Sequence, residues 1–256
     1  MNPAQLRSLF DMSGRVALVT GGTRGIGRAI AEGYVSAGAK VAVVSRSEQD
    51  CKETEQHLRS LGGEAMGIPA DLSRLDDVPA IVERTVAELG GLDVLVNNAA
   101  VGGQATVGDF ALEEWHYVFD LNVKTPVFLM QEALPHLKQS GKGNVLNILS
   151  ISAFLDSHTF PIYGSSKAAL FAHTRSASVA LAQYGIRVNG IAPGPFDTVL
   201  LMSDTGNPEA VGALTTLKRV ARPDEIVGPA LMLTSDAGSY MTGQVLFVDG
   251  GYVVAR

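Results

Sequence analysis

Tyr163 and Lys167 stand four residues apart in the stretch SISAFLDSHTFPIYGSSK (150–167). They lie within an apolar-periodic run (Ala168, Leu170, Phe171, Val179, Leu181) that reads as a helix. Positions i and i+4 share a helix face, which places the lysine ammonium beside the tyrosine hydroxyl. A phenol titrates near ~10 in isolation, and a fixed cation next to it favours the phenolate. The pair therefore reads as a general acid/base tuned toward neutral pH. Ser150 closes an apolar, strand-like run (Val145, Leu146, Ile148, Leu149) thirteen residues before Tyr163. Such strand ends present reactive hydroxyls in α/β proteins. An amphipathic helix with a half-buried tyrosine and a solvated lysine is the competing reading of Y-x-x-x-K alone, and the rest of the chain decides between them.

The elements that must position these groups begin with residues 15–20 (RVALVT), a buried strand running into Gly21-Gly22-Thr23-Arg24-Gly25-Ile26-Gly27 and then a helical pattern ending at Gly38. Strand, glycine turn and helix are the first half of a βαβ unit. Backbone N–H groups and a helix N-terminus converge there, a seat for pyrophosphate that side chains would block. The spacing is G-x-x-x-G-x-G rather than G-x-G-x-x-G, and alone it is compatible with a plain tight turn. The next strand, residues 41–44, ends at Ser45-Arg46, about 20 residues on, where a dinucleotide fold meets the adenosine ribose. A neutral Ser45 with Arg46 and Arg24, and no carboxylate, suits a 2′-phosphate and hence NADP(H). Two solvated surface arginines are the alternative.

Further helices (48–61, 75–89) and strands (66–70, 92–96) follow, with Asp71-Leu72 where an adenine edge would lie and Asn97-Asn98-Ala99-Ala100 closing the fourth strand. The alternation specifies an α/β fold: one Rossmann-type, doubly wound parallel sheet of about seven strands with helices on both faces, in a single domain spanning 1–256. A helix is expected over 113–138, kinked by Pro126 just beyond Asn122. Asn122 sits in its apolar face, either as a satisfied core amide or as a functional one. Residues 187–192 form a strand leading to Pro193-Gly194-Pro195, a substrate flap is expected near 195–217, a helix over 223–235 and a last strand over 244–248.

At 256 residues, 46% hydrophobic and 18% charged, the chain can bury one full core. Net charge −6 and a pI near 5.4 argue against a nucleic-acid or anionic-membrane surface. No uncharged apolar run approaches the ~20 residues of a membrane span, and no signal peptide is visible, so a cytoplasmic protein is expected. The single Cys51 rules out an intrachain disulfide. The five histidines show no metal-ligand spacing and no metal is expected. Ser150 with His158 and Asp156 invites a hydrolase triad, but no G-x-S-x-G surrounds the serine.

With these pieces together, the chain resembles the short-chain dehydrogenase/reductase family over nearly its whole length. The matching marks are Thr20-Gly21-x-x-x-Gly25-x-Gly27, Asp71, Asn97-Asn98-Ala99, Asn122, Ser150, Tyr163-x-x-x-Lys167, Pro193-Gly194 and Thr198. The resemblance implies that Tyr163 donates a proton to the carbonyl oxygen in reduction or takes it from the alcohol in oxidation, with Ser150 hydrogen-bonding that oxygen. It implies that Lys167 binds the nicotinamide ribose and depresses the Tyr163 pKa, and that Asn122 holds a relay water. Cofactor contacts are implied at Gly21, Thr23, Arg24, Gly25, Ile26, Gly27, Ser45, Arg46, Asp71, Leu72, Asn97, Asn98, Ala99, Tyr163, Lys167, Pro193, Gly194, Phe196 and Thr198. Neutral Ser45 with the two arginines resembles the NADP-preferring members. Three departures stand out: Ala100 replaces the family's usual glycine, Leu149 replaces a small or polar residue, and Ser152 adds a hydroxyl that would share Ser150's face if the strand continued.

The substrate pocket is expected from Ser152, Phe154, Leu155, Phe160, Phe196, Val199, Leu200, Leu201 and Met202, with His158 and Asp156 as polar handles. That apolar cast fits a small-molecule substrate, a medium-chain or cyclic ketone or a 3-oxoacyl chain, better than a sugar. Lys218, Arg219 and Arg222 could form a basic rim for an acyl-carrier protein, although a solvated helix end is the favoured reading of these three charges. Oxidation of a polyol, sugar or steroid alcohol on the same scaffold is the first rival, and a non-catalytic dinucleotide-binding protein the second. The resemblance also implies a homotetramer built by the helices near 113–138 and 162–183 and by the C-terminal segment.

Overall fold

Valine, isoleucine, leucine and alanine dominate the strand-like runs, and such runs are stable only in a sheet covered on both faces. The computed structural model, which describes residues 1–103, 105–155, 160–201 and 207–254, shows that arrangement. A short helix α1 (Pro3–Ser8) precedes β1 (Val16–Thr20), α2 (Gly25–Ser36), β2 (Lys40–Ser45), α3 (Glu48–Ser60) and β3 (Ala65–Pro69). Then come α4 (Val78–Leu89), β4 (Val94–Asn97), α5 (Leu112–Phe119), α6 (Thr125–Ser140) and β5 (Asn144–Ile148). The chain continues through α7 (Pro161–Leu181), β6 (Arg187–Pro193), α8 (Pro208–Ala213), α9 (Val227–Thr234) and β7 (Val245–Val248).

All seven strands pair in parallel, in the order β3-β2-β1-β4-β5-β6-β7. Alternate strand residues feed two cores. Ala17, Val19, Val94, Val96 and Leu146 pack with Ile30, Tyr34, Ala230 and Leu233 from α2 and α9. Leu18, Leu95, Val145 and Val188 pack with Ile81, Leu129, Leu137 and Leu181 from α4, α6 and α7. Strand order reverses between β1 and β4, so the crevice beyond their carboxyl ends is where such a sheet takes a ligand.

Several expected elements are subdivided. The helix expected over 113–138 is α5 and α6 joined by a π-helical turn, Asp120–Lys124, in which the Thr125 N–H bonds the Asp120 carbonyl five residues back. Pro126 falls in the first turn of α6 instead of kinking a continuous helix, and it lacks the N–H that an α-helix would send to the Asn122 carbonyl. The helices expected over 75–89 and 223–235 each open with a 3-10 turn, Leu75–Asp77 and Pro223–Ile226. The flap contains α8, and its base is pinned: Asp197 N–H donates to the Ala221 carbonyl (2.8 Å) and Ala221 N–H to the Pro195 carbonyl (3.0 Å). Residues 202–206 lie outside the described residues. Among the described residues no helix is long and apolar enough to cross a membrane.

Candidate active site

The glycine turn is shaped by close approach. Gly21 and Gly25 take left-handed φ values of +61° and +54°, which disfavour side chains. A Cβ at Gly27 would lie 2.3 Å from both the Gly21 carbonyl oxygen and Asn98 Nδ2. Asn98 Nδ2 fills that notch and donates to the Thr20 (2.8 Å) and Gly21 (3.1 Å) carbonyls. Thr20 Oγ1 answers by accepting the Asn98 (2.9 Å) and Ala99 (3.1 Å) N–H groups. The Asn98 side chain thus braces the turn, and Thr20, which has no assigned role in the sequence reading, is the other half of the clasp. Asn97 turns its side chain away, into Asn147 (2.9 Å). Ala100 takes no left-handed φ, so the family's missing glycine leaves no backbone strain there.

Around this cradle stand the other residues expected to hold a dinucleotide. Thr23 is buried at the turn, with Arg24 at the N-cap of α2 and Ile26 packed against the first core. Across the crevice, a Cβ at Gly25 would meet Thr198 Cγ2 at 3.2 Å, so the loop after Pro193-Gly194 closes over the start of α2. Ser45 ends β2, and Arg46 beside it is exposed. Two hydrogen bonds from Ser73 hold the Asp71 carboxyl below its ordinary range, with the charges of Arg46 and Arg74 adding to the effect. Leu72 buries its side chain in the second core. Phe196 is likewise a core residue, 2% exposed, so its ring packs in the first core instead of lining the expected pocket. The cradle fits a dinucleotide: a Cβ at Gly22 or Gly27 would collide with its surroundings, and the turn runs into the N-terminus of α2.

Tyr163 and Lys167, the expected acid/base pair, are both carried on α7. Pro161 starts this helix, which puts Tyr163 in its first turn, at the positive end of the helix dipole. Lys167 is 2% exposed, its Nζ 5.7 Å from the Tyr163 ring centre and donating to the Ile148 carbonyl at 2.8 Å. Burial pulls its pKa down to about 7, so the cation expected to be fixed is only partly charged at neutral pH. Ser150, two residues beyond Ile148, accepts the Ser152 N–H on Oγ (3.1 Å), which leaves its own O–H proton free to donate. Residues 151–153 form a 3-10 turn instead of extending β5, so Ser152 does not share the strand face of Ser150.

Asn122 is fully buried in the π-helical turn. Its Oδ1 accepts the Val101 N–H, and its Nδ2 donates to the Val101 carbonyl and to Ser166 Oγ (3.0 Å). Ser166 in turn donates to the Tyr163 carbonyl (2.7 Å). Ser166 is a further residue missed by spacing, although it lies between the tyrosine and the lysine. Phe154 packs its ring on Phe171 (4.8 Å) and Phe247 (4.7 Å), joining a small core with Leu149 and Leu170 in place of the pocket. Asp156, His158 and Met202 lie outside the described residues. Among those described, no cluster of three metal-ligating side chains occurs.

Known proteins share this architecture. A family model described as enoyl-(acyl carrier protein) reductase matches residues 21–253. General stress protein 39 of Bacillus subtilis is 37% identical, over 99% of this chain and 92% of its own length. The rhamnolipids biosynthesis 3-oxoacyl-[acyl-carrier-protein] reductase of Pseudomonas aeruginosa is 36% identical, over 95% of this chain and 98% of its own. A gluconate 5-dehydrogenase from Burkholderia cenocepacia, solved with NADP and tartrate, superposes with a TM-score of 0.92 at 32% identity, covering 98% of this chain and 100% of that one. With the cradle, the Tyr163–Lys167 helix and the sheet order already in place, these matches settle the class: the chain is an oxidoreductase of the short-chain dehydrogenase/reductase family.

Proposed function

We propose that the protein reduces the carbonyl of a small ketone to a secondary alcohol with NADP(H). The observation that carries this reading is the helix whose first turn carries Tyr163 with a buried Lys167 one turn on, packed beside the end of β5, where the Ser150 hydroxyl accepts the Ser152 N–H and keeps its own proton to donate. Ser150 and Tyr163 both donate to the substrate oxygen as negative charge develops on it, and Tyr163 releases its proton to it. Protonated Lys167 and the positive end of α7 stabilise the phenolate left behind. Asn122 spends its side chain on Val101 and Ser166, so any relay water it holds is taken by its backbone carbonyl. The nicotinamide dinucleotide, when bound, supplies the hydride.

Arg24 and Arg46 support NADP(H): both are exposed at the adenosine end, and neither is engaged in an ion pair among the described residues. The NADP in the Burkholderia structure supports the same choice. For the substrate, the apolar pocket read from the sequence favours a ketone or 3-oxoacyl thioester, as does the Pseudomonas relative. A polyhydroxylated keto acid is the second reading. It gains from the withdrawal of Phe154 and Phe196 into the core, which leaves fewer aromatic walls, and from the gluconate-type neighbour. Exposed apolar residues on α6, α7 and β7 (Phe128, Val179, Phe247) are the surfaces through which copies would assemble into a tetramer, a point that light scattering on the purified chain tests.

The deciding experiment follows NADPH oxidation over a panel of simple ketones, 3-oxoacyl thioesters and keto-sugar acids, wild type against Tyr163→Phe. The variant should lose kcat by orders of magnitude while NADPH affinity holds. Undiminished turnover would remove Tyr163 from the chemistry.

A further inference from the structure

Asn97 and Asn147 are register partners at the carboxyl ends of β4 and β5. Asn97 Nδ2 donates to Asn147 Oδ1 (2.9 Å), Asn147 Nδ2 donates to Thr174 Oγ1 (2.8 Å), and the Thr174 hydroxyl donates to the Leu170 carbonyl (2.8 Å) within α7. The three side chains are 3%, 1% and 0% exposed. The same face of β5 carries Val145 one pleat earlier, packed in an apolar core. Polar groups in such a place cost desolvation, and their hydrogen bonds at best offset it. Here the offset is incomplete, because the buried Asn97 Oδ1 has no hydrogen-bond partner among the described residues. Stability alone does not account for the chain of amides; geometric specificity does.

The specificity concerns α7. Lys167 and Thr174 are seven residues apart, two turns along one helix face. Each bonds β5 at adjacent residues, Lys167 at the Ile148 carbonyl and Thr174 at the Asn147 amide. Two stitches fix both the height and the axial rotation of a helix, where one would leave it free to roll. We propose that Asn97, Asn147 and Thr174 are positioning residues for the Tyr163–Lys167 pair: they lock α7 against β5 and hold the Ile148 carbonyl under the lysine ammonium. The catalytic consequence rests on the reading of Tyr163 and Lys167 given above. The positioning itself does not. Without the amide chain the ammonium loses its aligned acceptor, and burial then pulls the lysine further toward its neutral form. Tyr163, on the same helix, is the titratable group beside it, the Ile148 carbonyl is what β5 offers, and among the described residues burial is the one influence that shifts it.

The test is an NMR titration of lysine side chains in the isotope-labelled, ligand-free full-length protein, with the Lys167 signal assigned by its loss in Lys167→Met. The double variant Asn97→Leu/Asn147→Leu removes both amides together, which avoids stranding one of them. We expect it to fold with an unimpaired melting temperature, with the Lys167 midpoint lowered by about half a unit or more. On the best ketone of the panel, kcat should fall about tenfold with KM little changed. A folded double variant with the wild-type midpoint and kcat overturns the proposal. Thr174→Val, isosteric and lacking the hydroxyl, is the second arm. Its midpoint should move the same way by less, and an unchanged midpoint overturns the proposal even if the double variant fails to fold. If the midpoints move but the wild type reduces no ketone, the positioning stands and the functional reading falls.

Discussion

Asn122 and Val101 are joined by a reciprocal pair of hydrogen bonds, each 2.9 Å, in which the amide Oδ1 accepts the Val101 N–H and Nδ2 donates to the Val101 carbonyl. The pair ties the π-helical turn between α5 and α6 to the segment that leaves β4, so the buried amide holds two walls of the crevice at a fixed separation. Replacing it with an isosteric apolar side chain strands both backbone groups of Val101 and frees Ser166. Asn122→Leu should cost about 3 kcal/mol in urea unfolding, as expected for buried donors and acceptors left without partners. A loss confined to kcat, with stability intact, would instead assign this side chain a role in proton transfer alone.

Lys167 makes a prediction with a definite sign. Its pKa is 10.5 for a lysine side chain in water and about 7 in the folded chain. Between those values the unfolded chain binds the extra proton, so this group's contribution to stability rises with pH. Below about 7 both states are charged and the full burial penalty is present; above 10.5 both are neutral and it is gone. Lys167→Met removes the penalty at every pH. The variant should therefore melt above the wild type by about 3 °C or more at pH 6, with the gap closing toward pH 10. A gap that is flat or widening with pH would mean that the ammonium is solvated in the folded protein.

Arg24 and Arg46 make a prediction about cofactor choice. One charge-assisted contact to a 2′-phosphate is worth roughly 2 kcal/mol, so Arg46→Ala should weaken NADPH binding about thirty-fold. NADH, which lacks that phosphate, should bind the variant and the wild type alike. Titration by the fluorescence of the reduced cofactor measures both constants, and equal weakening of the two would show that Arg46 serves the fold or the pyrophosphate instead.

Features carried by local sequence were legible in advance. The strand–glycine–helix unit, the parallel sheet with helices on both faces and the Tyr163–Lys167 face follow from periodicity and from residues close together in the chain. What was not legible depends on partners far away. Nothing near Phe154 or Phe196 announces that their rings pack into cores, Phe154 against Phe171 and Phe247. The braces Thr20–Asn98 and Asn147–Thr174 join residues 78 and 27 positions apart. The π-helical turn follows from Pro126 only once the segment is known to remain helical past Asn122. The partial neutrality of Lys167 comes from burial that the whole fold imposes, while the spacing to Tyr163 fixes only where the amine stands.

The basic rim imagined for a carrier protein is largely neutralised. Arg219 makes a two-pronged contact with Glu225, 2.7 Å on each side, and Arg222 pairs with Asp224 at 3.0 Å. The Arg219 guanidinium and the Arg222 N–H push the Glu225 carboxyl down to about 2, so it stays ionised at any working pH. Lys218 Nζ donates to the Ala213 carbonyl within the flap. An acidic carrier protein finds little net positive charge here to steer it, and exposed pairs of this kind give little back when broken. If the enzyme accepts 3-oxoacyl chains, a coenzyme A or pantetheine thioester should therefore be reduced with a kcat/KM within about threefold of the carrier-bound chain, with weak salt dependence in both cases. A carrier advantage of a hundredfold that disappears at high salt would locate a docking surface elsewhere on the molecule. The same advantage lost in Arg219→Ala would show that the carrier displaces Glu225 from its arginine.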